Sequence, residues 1–208
     1  AGEQEQQQRQ QRIEQLLALA QRAPSDCNTQ AWKTYVVSGA PLEALRTALY
    51  ERAGSGAGAN SYDLAPIGKY EGEFLERRRE CGWALYNSVG IQKGDRVASR
   101  AQALENFRFF GAPHIAAITV HTSLGERGVL DAGIYTGFFL LAAEALGIGA
   151  VPQAAVTHYS DALRVHLAIP KVQRIVTVVS FGFEDVEHPA NSFRTSRLST
   201  EECSMFLE

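Results

Sequence analysis

The stretch GVLDAGIYTGFFLLAAEALGIGA, residues 128–150, constrains this chain more than any other. It reads as a helix that is apolar nearly all round, and such a helix is stable only when it is buried. Glu144 and the glycines interrupt the run, so no unbroken apolar stretch reaches the roughly 18 residues of a membrane span. The cover has to come from protein, and a chain of 208 residues can bury a sizeable core.

The segments around it supply candidates for that cover. Ile13, Leu16, Leu17, Leu19 and Ala20 recur at helical spacing up to a stop at Pro24. They follow a Gln-rich opening over 1–12, read as a solvated helical extension or a disordered one. TYVVSG (34–39) reads as a short strand. PLEALRTALYERA (41–53) reads as a helix with Leu42, Leu45 and Leu49 on one face. A Gly/Ala/Ser-rich loop follows, and the stretch near 54–96 is expected to be a mobile lid. Residues 73–91 and 95–110 read as two helices, 111–122 as a buried strand, and 174–183 as the last long strand. The tail is irregular before a possible final helix. Helices and strands mix without repeats, which points to an α+β or α/β layered domain, taken as one domain over 13–208.

Several function classes are disfavoured. A net charge of −3 leaves no electrostatic footprint for nucleic acid or an anionic membrane. The three cysteines, Cys27, Cys81 and Cys203, are widely spaced and odd in number, which argues for a reducing compartment and a cytoplasmic location. The five histidines show no metal-ligand spacing. His114, after Pro113, is read as structural, and Cys27 as an unactivated thiol. With no nucleophile–base pair in evidence, a cofactor is expected to carry any chemistry.

Three separated segments then fall into one pattern: APSDCNTQAW (23–32), DAGIYTGFFLLAAEALGIGAVPQAA (131–155) and VVSFGFEDVEHPANSFRTSR (178–197). In order and spacing they resemble the nitroreductase family of FMN-dependent oxidoreductases. PIGKYEGEFLERRRECGWALYNSVGI and NFRFFGAPH are similar to a nitrobenzoate-reductase-like branch. The resemblance implies an α+β fold, a three-layer α-β-α sandwich with a central mostly antiparallel sheet. It also implies that the long apolar helix lies at a homodimer interface.

The same resemblance assigns the site. Pro24, Ser25, Asn28 and Gln30 would lie on a loop that crosses the dimer interface to the flavin of the other subunit. Their short hydroxyl and amide groups suit a ribityl chain and pyrimidine edge. Pro152, Gln153, Ala154 and Ala155 match a turn whose main chain approaches the ring, with the backbone N–H groups of Ala154 and Ala155 near flavin N5. Ala154 and Ala155 stand where many relatives carry an acidic residue and glycine. Arg194 and Arg197 match basic residues that pair with the FMN phosphate, a contact for which guanidinium is well shaped. Arg108 is assigned to the O2/N1 region, and Tyr62, Tyr70 and Phe110 to the acceptor pocket.

No side chain is expected to be catalytic and no metal is expected. Hydride would pass from NADH or NADPH through flavin N5 to a nitroaromatic or quinone, in ping-pong order. One departure stands out. Relatives open with an RRSxR-type phosphate motif, whereas RQQR (9–12) lacks the serine and stands close before Ala23. A weaker phosphate grip follows, and with it an alternative: a non-enzymatic dimeric scaffold or weak flavin-binding relative. A third alternative, a branch that fragments or dehalogenates its substrate, has no residue in its favour.

Overall fold

β-Branched and aromatic residues concentrate in a few short runs of this chain, and those runs pair with one another. A computed structural model describes residues 2–56 and 61–207. Its sheet has four strands: β1 (Trp32–Ser38), β2 (His114–His121), β3 (Gly149–Gln153) and β4 (Gln173–Gly182). They are ordered β1-β2-β4-β3, and every pair is antiparallel. Trp32 lies opposite Val120, Ser38 opposite His114, and Gln153 opposite Val178. β3 is not expected from periodicity, because it is five residues long and contains Pro152. Proline is tolerated there because β3 is an edge strand.

Helices cover both faces of the sheet. α1 (Gly2–Ala20) and α5 (Gly125–Ala145) pack on one, meeting Ala116, Ile118, Val120, Val179 and Phe181. α2 (Gly39–Gly54), α6 (Ala154–Thr157) and α7 (Ser160–Leu167) pack on the other, meeting Ile115, Ala117, Ile175 and Val178. β2 lies in the middle and buries every residue except His121, as a strand covered on both faces must. This is the three-layer sandwich that the resemblance implies. The Gln-rich opening is part of α1, whose buried stripe begins at Ile13.

The chain divides into two compact units, 1–66 with 101–184 and 67–100 with 185–208. The first holds the sheet. The second contains α3 (Gly72–Ser88), none of whose residues is buried, and the short α8 (Thr200–Cys203). Ser199 and Glu202 close a capping box on α8, and Ser196 Oγ donates to Glu80 Oε1 at 2.9 Å. Of the stretch expected as a lid, residues 57–60 lie outside the described residues, and α3 occupies much of the remainder. α4 (Arg96–Leu104) ends earlier than the helix expected over 95–110. The chain tightens there into a 3-10 turn, with Phe109, Phe110 and Gly111 all left-handed (φ 55°, 52° and 74°).

α5 corrects the expectation of complete burial. One stripe, Asp131, Ala132, Tyr135, Phe139, Ala142 and Ala143, is buried against the sheet and α1. The opposite stripe, Leu130, Gly133, Gly137, Phe138 and Leu141, is exposed in the single chain, with Leu141 71% accessible. Residues 122–145 are long and apolar enough to cross a membrane by composition alone, with mean hydropathy 1.3. The buried stripe packed on the sheet is what a core helix presents.

Candidate functional site

The loop between α1 and β1 owes its shape to hydrogen bonds, since Pro24 and residues 26–30 are exposed. Ser25 is extended and Asp26 opens a single 3-10 turn, after which Cys27, Asn28 and Gln30 adopt left-handed backbone (φ 48°, 56° and 47°). Three non-glycine residues in that region within four positions mark stored strain, which persists only where the surroundings over-determine it. The Gln30 N–H donates to Ser25 Oγ at 2.9 Å. Gln21 Nε2 donates to Gln30 Oε1 at 2.9 Å, and Trp32 Nε1 donates to Gln21 Oε1 at 2.9 Å. The Trp32 ring stacks on Tyr135 of α5 with centroids 4.9 Å apart. Asp131 of α5 accepts from the Asp26 N–H at 3.2 Å and from Thr29 Oγ1 at 3.4 Å. Cys27 is exposed, and its hydrogen bond to the Asp26 carboxylate, then that group's charge, holds the thiol above its ordinary pKa. A thiol so placed carries less thiolate, in keeping with the unactivated thiol its sequence context suggests.

The turn after β3 is held from beneath. Gln153 is buried, and its amide is fully used: Ser180 Oγ donates to Oε1, while Nε2 donates to Asn106 O at 2.8 Å and Asn106 Oδ1 at 3.3 Å. The side chain thus points into the protein, and what this turn can offer a ligand is main chain. Ala154 and Ala155 open α6, where first-turn N–H groups have no intrahelical acceptor. The bond to Asn106 ties this turn to the segment carrying Arg108 and Phe110. Phe109 is wholly buried and anchors that segment, Arg46 Nη2 donates to Ala112 O at 2.8 Å, and the left-handed turn leaves Phe110 44% exposed. The Arg108 guanidinium lies 4.9 Å from the Tyr50 ring centroid and 3.5 Å from Glu105. Tyr62, half-exposed, meets His158 edge-on at 6.4 Å.

Tyr70, Arg194 and Arg197 belong to the second unit. Arg78 lies over the Tyr70 ring at 5.2 Å. Arg194 Nη1 donates to Asn191 O and Phe193 O. Arg197 Nη1 donates to Thr195 Oγ1 at 2.6 Å and Ser196 O at 2.7 Å. Both arginines are exposed and curl onto their own segment. Arg12, one of the two N-terminal arginines, stacks over Phe183 at 5.3 Å.

The first unit joins residues 152–155, at the end of edge strand β3, to the segment of Arg108 and Phe110 through the Gln153–Asn106 bond, and sets Tyr62 beside His158. It places residues 24–30 just before the strand at the other edge. Three inter-strand spacings separate β1 from β3, about 14 Å. Two surface grooves, one around Arg12, Gln15 and Leu146 and one around Tyr35, Ser38 and His166, include none of the assigned residues. Among the described residues no cluster of acidic, histidine and cysteine side chains could hold a metal. His114 packs against Phe181 at 5.3 Å, and burial, helped by the charge of Arg9, lowers its pKa. Asp131, Asn106 and Ser180 are the polar residues missed in the sequence. The one signal for Asp131 is a carboxylate near the start of the long apolar run of α5.

Comparison with known proteins identifies the family. The profile of the Nitroreductase family matches residues 8–183. Nitroreductase NfnB of Mycolicibacterium smegmatis is 32% identical over 194 residues, covering 90% of this chain and 80% of the relative. A 4-nitrobenzoate reductase of Nocardioides sp. is 33% identical, covering 94% of this chain and 80% of its own. The crystal structure of the FMN-dependent NfnB from Mycobacterium smegmatis in complex with NADPH superposes with a TM-score of 0.89. It is 31% identical and covers 96% of this chain and 89% of that one. Fold, motif order and these matches agree over nearly the whole length, and the chain belongs to the nitroreductase family.

Proposed function

We propose that the protein is an FMN-dependent nitroreductase that draws reducing equivalents from NADH or NADPH, passes them to nitroaromatic or quinone acceptors, and works as a cytoplasmic homodimer. The observation that carries the reading is the Ser25–Gln30 loop, a strained and hydrogen-bonded segment that presents hydroxyl and amide groups beside the Asp26 carboxylate. The residues present fit a flavin. Ser25 Oγ keeps its own proton to donate after accepting from Gln30, the Asn28 amide is exposed, and Ala154 and Ala155 let main chain approach a flat ring closely. Arg194 and Arg197 supply the positive charge a phosphate requires.

Bound FMN supplies two-electron transfer between a nicotinamide and the acceptor. For a nitro group, each NAD(P)H with one proton yields the nitroso compound and water. The protein's share is orientation. Ala154 and Ala155 hold amide N–H groups at the start of α6, Gln153 fixes that turn against Asn106, and Phe110, on the segment that follows Asn106, presents a part-exposed apolar ring. No side-chain acid is required, because solvent can supply the protons. The relatives named for nitrobenzoate and the NADPH-bound neighbour support this choice of acceptor and donor.

Two features favour a homodimer. Residues 24–30 precede one edge strand and residues 152–155 end the other, so a site that uses both sets is completed by a second copy. The outward stripe of α5, with Leu130, Phe138 and Leu141, offers the apolar surface such a copy would cover. The test is flavin content together with NAD(P)H-dependent reduction of a nitrobenzoate. Protein that neither retains nor binds FMN overturns the enzyme reading. Sedimentation as a monomer that holds FMN stoichiometrically overturns the shared site.

A further inference from the structure

We infer that Asp131 is the positioning residue that sets the Ser25–Gln30 loop in its receiving shape before any ligand arrives. The inference rests on the flavin reading of that loop and adds to it a residue on another element. The loop's internal hydrogen bonds are local: Gln30 to Ser25, Gln21 to Gln30, and the turn bonds from Asn28 N to Ser25 O and Thr29 N to Asp26 O. Such bonds give a loop its shape but not its direction. Direction comes from bonds to the body of the fold, and Asp131 supplies them from more than a hundred residues away, through both carboxylate oxygens to the Asp26 N–H (3.2 and 3.3 Å) and through Oδ2 to the Thr29 hydroxyl (3.4 Å).

The carboxylate is an unusual occupant of its site. Asp131 is 4% exposed and sits in the stripe formed by Ala132, Tyr135 and Phe139. A buried carboxylate is costly unless its oxygens are satisfied. Here they are satisfied by the loop. The same bonds that compensate the carboxylate also hold the left-handed residues Cys27, Asn28 and Gln30, so the two costly features support each other. Tyr135, one helical turn further on, adds a second support by stacking on Trp32 and accepting from Thr34 Oγ1 at 3.1 Å.

Two substitutions separate this role from general stability. Asp131→Asn keeps the size but replaces one acceptor by an NH2 group that faces the loop's donors. Asp26→Pro removes the backbone donor from the other side. Proline suits that position because the preceding Ser25 is extended and residue 26 opens a helical turn. Each variant should raise the dissociation constant of FMN, titrated calorimetrically into flavin-free full-length protein, by about 10–100-fold, the range for charge-assisted hydrogen bonds. Riboflavin should weaken by the same factor, because the loop is assigned to the ring and ribityl chain and not to the phosphate. The double variant should fall well short of the sum of the two, since both break the Asp26–Asp131 bond.

Hydrogen exchange of the flavin-free protein gives a readout independent of ligand: amides 28–30 should exchange faster in both variants while those of β2 and β4 do not. A merely structural role would speed exchange throughout the sheet and leave the affinity of the folded protein unchanged. FMN binding within about twofold of the parent, with unaltered exchange at 28–30, overturns the proposal. If the parent itself binds no flavin, the flavin reading fails, and the exchange data still decide whether Asp131 positions the loop.

Discussion

The Ser25–Gln30 loop and the Phe193–Arg197 segment are assigned to the same ligand, yet they are held in opposite ways. The loop is wired to the core of the sheet unit through Asp131, Gln21 and Trp32, and carries three left-handed residues in consequence. Arg197 spends its guanidinium on Thr195 and Ser196, its immediate neighbours. A group bonded only to its sequence neighbours can turn to a ligand at little cost, because water or the ligand replaces those bonds one for one. A group bonded across the fold is already placed and loses little entropy on binding. Of the two halves of the assignment, the loop is thus preformed and Arg197 is poised to reorganise.

The strongest test of this contrast is Arg197→Ala. Loss of a charge-assisted phosphate contact should weaken FMN by about 10–100-fold. Riboflavin affinity and flavin-saturated turnover should stay within about twofold, since a remote contact is equal in ground and transition states. Equal losses for FMN and riboflavin, measured by calorimetric titration, would erase the distinction between the halves. Ser25→Ala should act more weakly and without preference for the phosphate. Removing a neutral hydroxyl that accepts from Gln30 is worth roughly 1 kcal/mol, about fivefold for either flavin.

Replacing Arg9 and Arg12 together by Gln should change FMN affinity by less than about twofold, because Arg12 is stacked on Phe183 and both stand on a helix packed against α5. A larger loss in the same titration would identify a third, N-terminal grip. The smallest effect expected is on His114, outside both halves. Its folded-state pKa lies below the ordinary 6.5, so the unfolded chain takes up the proton more readily. Its contribution is full above about pH 6.5 and is lost as pH falls through the window down to the lowered folded value. His114→Phe should flatten the fall in Tm between pH 7 and 5.5, and leave flavin binding at pH 7.5 untouched.

Much of the layout was legible in residue order. β2 and β4 announce themselves as apolar runs bounded by turns, α2 by the spacing of Leu42, Leu45 and Leu49, and the loop at Pro24 by its break in a helical pattern. The rest depends on partners that no local window contains. β3 is short and proline-bearing, and is a strand only because β4 lies beside it. The left-handed Phe109 and Phe110 contradict the preferences of phenylalanine, and are imposed by the burial of one ring and the bond from Arg46 to Ala112. α5 read as apolar all round, but composition could not say which stripe faces the sheet and which is left bare. Asp131 is the clearest case: as a letter it opens a motif, and its purpose appears only once Asp26 and Thr29 stand next to it.

The stacking of Trp32 on Tyr135 has a practical consequence. The chain holds two tryptophans, and each unit carries one. Trp32 is 8% exposed with its indole N–H bound to Gln21, whereas Trp83 is 38% exposed and meets Tyr86 edge-on at 5.8 Å. A Trp83→Phe chain would retain a single native fluorophore, one glutamine away from Gln30. Its emission would register the setting or slackening of the loop in real time without an attached dye, and a flavin arriving nearby would quench it.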